Sequence, residues 1–85
     1  MGKYRIEIRK SAEKEIERLP RRDSKAVLDK IHALSENPRP HGCKKLSGQE
    51  KYRLRSGHYR ILYSIEDDVL IVYVVSVGHR KDVYR

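Results

Sequence analysis

KYRLRSGHYR, residues 51–60, decides how this sequence folds: two alternating runs, Tyr52-Arg53-Leu54-Arg55 and Tyr59-Arg60-Ile61-Leu62-Tyr63, flank a Ser-Gly-His turn signal. Side chains alternate between the faces of a strand, and directly paired residues of a hairpin point the same way. A two-residue loop over Ser56-Gly57 sets Arg53 opposite Arg60, whereas a loop over Gly57-His58 sets Arg55 there. Both registers gather Lys51, Arg53, Arg55 and Arg60 on one face and Tyr52, Leu54, Tyr59, Ile61 and Tyr63 on the other. Like charges so placed repel and cost stability. Four cations with no carboxylate among them form a pattern that a phosphate backbone completes, so this face is read as a polyanion site.

Downstream, Asp67-Asp68 turns a second hairpin into Val69-Leu70-Ile71-Val72-Tyr73-Val74-Val75, an apolar run on both faces that predicts a central strand covered on two sides and ending at Gly78. Upstream, residues 3–9 alternate Tyr4, Ile6 and Ile8 against Arg5, Glu7 and Arg9, the pattern of a half-buried strand. Ser11 is the expected N-cap of a first helix, with Glu13 and Glu15 in its first turn and Ala12, Ile16 and Leu19 forming its apolar stripe until Pro20 stops it. A second helix is expected from Asp23 or Ser24 to about Ser35, burying Val27, Leu28, Ile31 and Leu34 and leaving Asp29 and His32 solvated. Residues 37–50 are turn-rich and offer only Lys44-Lys45-Leu46 as a short edge segment. The order predicts one α+β domain over residues 1–85, β-α-α-β-β-β. Both helices lie on one face of a small, largely antiparallel sheet, and the arginine face stays open opposite.

The chain of 85 residues carries a net charge of +8, and its distribution is informative. Residues 11–37 hold six basic and six acidic side chains, so the helical part is neutral and the surplus lies on the strands and the C-terminal tail. That placement points to nucleic acid. The single cysteine, Cys43, excludes an internal disulfide and fits a reducing cytoplasm; it has no catalytic partner in the pattern and is read as a spectator. The four histidines are too scattered for a zinc set, so neither a metal nor another cofactor is expected. No apolar leader-like stretch opens MGKYRIEIRK and no segment approaches a membrane span, so neither export nor a membrane role is expected.

The tail, His79-Arg80-Lys81-Asp82-Val83-Tyr84-Arg85, follows Gly78, which permits a sharp turn, and includes an apolar Val83-Tyr84 pair that can dock back on the sheet. Docked on the open side, it would bring His79, Arg80 and Tyr84 towards Arg60. Such a set suits RNA phosphodiester cleavage, which needs a base for the 2′-hydroxyl, cations for the phosphoryl charge and an acid for the leaving 5′-oxygen. A tyrosine or histidine can serve as acid or base, the tyrosine only with cations close enough to stabilise its phenolate.

Y-R-L-R, G-x-Y-R, D-D-V-L-x-V-Y-V-V and V-G-H-R-x-x-V-Y, in this order over Tyr52–Arg85, resemble the C-terminal half of RelE-type toxins of the RelE/ParE superfamily from type II toxin-antitoxin systems. The strand-helix-helix-LSG front fits the same proteins. The resemblance implies a RelE-like fold, a cognate RelB-like antitoxin, and a ribosome-dependent mRNA endoribonuclease that cleaves the A-site codon and leaves a 2′,3′-cyclic phosphate. By position it assigns Arg60 to the transition-state phosphate and Arg80 to the acid or a second phosphate cation. Tyr84 is assigned to base stacking or to action with the general base. Lys51 and Arg53 occupy the family's basic pair, and Arg53, which stands where the best-known member has lysine, cannot act as a base because guanidinium does not deprotonate. Arg55, Lys44, Lys45 and Lys81 complete the expected RNA-contacting set. His79 replaces a lysine and is carried as acid, base or ribosomal RNA contact. The alternatives are a ParE-type gyrase inhibitor, which shares the fold but generally lacks the arginine and tyrosine set, and a non-catalytic RNA-binding or antitoxin-like module.

Overall fold

The computed structural model describes residues 3–46, 48 and 50–79. The hairpin of β3 (Tyr52–Ser56) and β4 (Tyr59–Glu66) closes over Gly57-His58, so Arg55 pairs with Arg60 and Ser56 with Tyr59. Gly57 sits at φ 61°, a conformation a glycine adopts without the Cβ clash that other residues meet. Of the two registers the sequence allows, this is the second.

The other elements are β1 (Arg5–Ile8), α1 (Lys10–Glu17), α2 (Arg21–Ala33), β2 (Lys44–Lys45) and β5 (Ile71–His79). The sheet order is β1-β5-β4-β3-β2; β1 runs parallel to β5 and every other neighbour is antiparallel. Helix α1 packs on β5, and α2 on β3 and β4. Ala12, Ile16, Val27, Ile31 and Leu34 from the helices meet Leu54, Ile61, Tyr63, Val72, Val74 and Val77 from the sheet in one core. Each buried Val, Ile or Leu side chain contributes about 1.5–3 kcal/mol of transfer free energy. The Tyr63 hydroxyl, fully buried, donates to the Pro38 carbonyl at 2.8 Å. Burial, the larger cause, and the neighbouring Cys43 thiol both push that phenol well above its usual pKa.

Several expectations need correction. Arg9, not Ser11, stands at the α1 N-cap and makes no side-chain cap bond; the helix starts two residues earlier because the Glu13 N–H already donates to the Arg9 carbonyl. Helix α1 ends at Glu17 with Arg18 as its C-cap, two residues before Pro20; Pro20 stands as the α2 N-cap and accepts from the Ser24 N–H, so α2 starts at Arg21, and it ends at Ala33. Val69 and Leu70 belong to a four-residue loop, not to the strand. Glu66 pairs with Ile71, Leu70 turns at φ 56°, and the two side chains are exposed. The helices cover one face of β5 only. On the other, Ile71 and Val75 are half-buried and Tyr73 is exposed, an environment that β-branched and aromatic side chains suit.

The least foreseen feature is a β-bulge. Leu62 pairs with Ser76 and Tyr63 with Val74, leaving Val75 as an extra residue on β5. Strict alternation from Val72 and Val74 would bury Ser76 and Gly78; with the bulge, Val77 is buried instead, at 1% exposure. Everything after Val75 is therefore flipped. Strand β1 ends opposite Val74, so among the described residues no strand flanks β5 on that side beyond it. The Val77 N–H is satisfied by Glu15 Oε1 of α1, at 2.9 Å. Among the described residues no helix is long and apolar enough to cross a membrane.

Candidate nucleic-acid interface

The face opposite the helices is built by the register of three strands. Lys44 pairs with Arg53 and Arg55 with Arg60, so the four side chains share one face, while Tyr59, Ile61 and Tyr63 point to the core. Lys51 lies one residue before β3, and alternation places it with Arg53. Lys44 and Arg55 are exposed and Arg53 is half-buried. Arg60 is only 3% exposed, although the open face was expected to solvate it. On its other flank Arg60 pairs with Gly78, which has no side chain to set beside the guanidinium. A buried guanidinium keeps its charge and acts in a medium that screens it less than water does.

Beside this row lies a cleft of about 210 Å³ lined by Gly42, Lys44, Arg53 and Arg55, three cations and a glycine with no acid. Gly42, at φ 95°, turns the chain into β2 and leaves the cleft wall without a side chain. Its place there has no local signature beyond the Pro-His-Gly turn.

The other basic residues of this region are engaged elsewhere. Arg39 donates to both Asp67 oxygens, at 2.9 and 3.3 Å, donates to the Tyr52 hydroxyl at 3.2 Å, and lies 5.3 Å from the Tyr52 ring centroid. The Tyr4 hydroxyl donates to Asp67 Oδ1 at 2.8 Å. The Arg39 guanidinium first, then the Tyr4 hydroxyl, hold the Asp67 carboxyl below its usual range. Lys45 pairs with Tyr52 in the ladder, which puts it on the face away from Arg53, and it meets Glu50 at 3.4 Å. Of the expected RNA-contacting set, the strands thus bring together Lys44, Arg53 and Arg55 with Arg60, and turn Lys45 away.

His79 is also elsewhere than expected. It pairs with Tyr59, on the helix side, because the bulge has reversed the phase of β5. Its ring stacks with His58 at a centroid distance of 6.2 Å and 11° between planes, and meets Tyr59 edge-on at 5.9 Å. The Tyr59 hydroxyl donates to Asp23 Oδ2 at 3.2 Å; burial, then that carboxylate, raises its pKa. Sequence reasoning treated His58 only as a turn residue. Arg80, Lys81 and Tyr84 lie outside the described residues. Among the described residues no group of three or more His, Cys, Asp or Glu side chains is arranged to hold a metal.

Residues 6–84 match the family model for the ParE toxin of the type II toxin-antitoxin system parDE. Toxin RelG of Mycobacterium tuberculosis is 33% identical over 86 residues, spanning 96% of this chain and 97% of that protein. The mRNA interferase toxin RelE of Escherichia coli K12 is 32% identical over 81 residues, 92% of this chain and 84% of that one. Among solved structures, the archaeal RelE-RelB complex from Pyrococcus horikoshii superposes with a TM-score of 0.84 at 27% identity, covering 94% of this chain and 98% of the matched chain.

Proposed function

The chain belongs to the RelE/ParE family of toxins from type II toxin-antitoxin systems, and on that basis we propose that it is a ribosome-dependent endoribonuclease that cuts mRNA at the A-site codon. The observation that carries the reading is the row Lys44, Arg53, Arg55 and Arg60 on one sheet face, with Arg60 buried at its inner end. Family membership does not by itself choose RNA. A face with this charge favours a phosphate chain, and one relative, 32% identical, is named an mRNA interferase toxin.

In the proposed reaction the RNA 2′-hydroxyl attacks its own adjacent phosphorus. The P–O5′ bond breaks, leaving a 2′,3′-cyclic phosphate and a free 5′-hydroxyl, and side chains carry out the proton transfers with no metal ion taking part. Charge accumulates on the non-bridging oxygens, where a preorganised and weakly screened Arg60 is most effective. Lys44, Arg53 and Arg55 hold flanking phosphates; Lys51 extends the row. Arg80 and Tyr84, from the sequence resemblance, are assigned to the leaving-group side and to the base beside the scissile bond. His79, on the opposite face from Arg60, is not assigned a proton transfer.

The partners in this reading are the ribosome with its mRNA in the cytoplasm, and a cognate RelB-like antitoxin, as in the RelE-RelB complexes of the structural relatives. An acidic antitoxin segment would compete for the same cations. The test is incubation of purified protein with programmed ribosomes and mapping of mRNA ends. A cut within the A-site codon is expected from the parent, and loss of cutting from Arg60→Gln, with folding checked by circular dichroism. The family model's own description favours one other reading, a ParE-like gyrase inhibitor. Intact mRNA together with gyrase-dependent DNA breaks would replace the nuclease with that inhibitor.

A further inference from the structure

His58, Tyr59 and His79 bring three rings together at one end of the sheet, outside the cation row. His58 is the second residue of the hairpin loop, Tyr59 opens β4, and His79 closes β5 opposite Tyr59. The imidazoles are exposed and nearly parallel, and the Tyr59 ring, half-buried, is fixed edge-on to His79 by its hydrogen bond to Asp23 on α2. Tyr59 and Arg60 are consecutive and point to opposite faces. The rings and the Arg55–Arg60 pair therefore occupy the two sides of the same sheet end.

A nucleotide has the same two-sided character, with phosphate and base projecting in different directions from the sugar. A strand passing over this end presents phosphates to Arg55 and Arg60 and can turn a base under the edge. Two exposed, nearly parallel imidazoles beside a ring held by a hydrogen bond suit a base, because every base has a π-face and stacking needs no hydrogen-bond match. We propose that His58, Tyr59 and His79 form a nucleobase-stacking platform for an unpaired base of the RNA held on the arginine face. The proposal rests on the RNA reading above and assigns His79 a binding role in place of proton transfer. It predicts a base contact that the cation row cannot make.

The test is binding of the full chain to two labelled single-stranded RNAs of equal length, one with 2-aminopurine among ordinary bases and one with abasic ribose at the central positions. The parent is expected to quench the 2-aminopurine emission. His58→Ala and His79→Ala are each expected to weaken the base-containing RNA on the order of tenfold, the scale of one lost stacking contact, and to leave the abasic RNA unchanged. His58→Tyr restores binding and His58→Lys does not, which separates a ring from a charge. Arg55→Ala weakens both RNAs alike. Binding of both alanine variants to the base-containing RNA within twofold of the parent, or equal losses on the abasic RNA, overturns the platform. A parent that binds neither RNA overturns it together with the RNA reading. RNA binding with these base-dependent losses but no ribosomal cutting upholds the platform and removes only the nuclease.

Discussion

Glu15→Ala removes a single acceptor, Glu15 Oε1, from the Val77 N–H, 2.9 Å away across the gap between α1 and β5. Val77 is 1% exposed, and β1 has ended opposite Val74, so no strand carbonyl among the described residues stands ready to replace the lost acceptor on that side. Two effects add: loss of a charge-assisted hydrogen bond, and a buried N–H left without a partner. Hydrogen bonds to charged groups are worth about 1.5–3 kcal/mol, and partial solvent access to the carboxylate brings the expected loss to about 1–2 kcal/mol. For a chain of this size that is a fall in Tm of roughly 5–15 °C. Glu15→Gln keeps an acceptor oxygen in place and is expected to recover more than half of the loss. Glu13→Ala, on the exposed side of the same helix, serves as the control and stays within about 0.5 kcal/mol of the parent. Urea unfolding of the three variants, with midpoints read at a common slope, measures all of this. An alanine variant indistinguishable from the Glu13 control, or a glutamine variant as weak as the alanine one, refutes the role given to Glu15 in holding the post-bulge segment of β5.

Tyr63→Phe leaves the Pro38 carbonyl without its buried donor and is expected to cost about 1–3 kcal/mol in urea unfolding; a change under 0.5 kcal/mol would mean that water replaces the hydroxyl. Asp67 titrates below its unfolded value because Arg39, then Tyr4, stabilise its charged form. Its contribution is therefore present above the unfolded carboxyl pKa of about 4 and is lost as pH falls through the lower folded value. Asp67→Asn should make the urea midpoint less dependent on pH between neutrality and pH 3; an unchanged acid slope counts against the clasp. Gly57→Val forces a β-branched residue to φ 61° in the hairpin loop and is expected to cost about 1–2 kcal/mol or more, readable as a lower Tm.

The hairpin was legible because a period of two and a turn signal together leave only two registers, and both sort the residues identically onto faces. The buried stripes of the helices were legible for the same kind of reason: Ala12, Ile16, Val27, Ile31 and Leu34 recur at helical spacing, and all are buried. The bulge was not. Val74 and Val75 are chemically equal, so nothing local says which of them faces the core, and the answer depends on where β4 and α1 meet β5. The misplacement of His79 follows from that one residue. Loop 67–70 was misread because Val69 and Leu70 extend an apolar run, while Arg39, 28 residues away in sequence, fixes Asp67 in the loop and pairs its own charge there at the surface. The cation row of the site could be read from alternation, but the burial of Arg60 could not. It depends on tertiary surroundings that the hairpin sequence does not contain.

A sheet that pairs Arg55 with Arg60 works against itself, since directly opposed like charges destabilise a hairpin. The pairing persists because the same two strands bury Leu54, Ile61 and Tyr63 on their other face, and a one-residue slip would turn out either Leu54 of β3 or Ile61 and Tyr63 of β4. Stability and charge are thus assigned to opposite faces of the same two strands, and the core enforces a surface that charge repulsion alone would disperse. Any polyanion that lies along the row relieves the repulsion, so binding and folding are coupled. A ligand at a hundred times its Kd adds about 2.7 kcal/mol to the folded state. In this light the repulsion is a property of the free toxin, and its removal is shared by every partner that covers the face. On the proposed reading, an acidic antitoxin segment and an RNA strand would draw on the same relief and would compete for this surface.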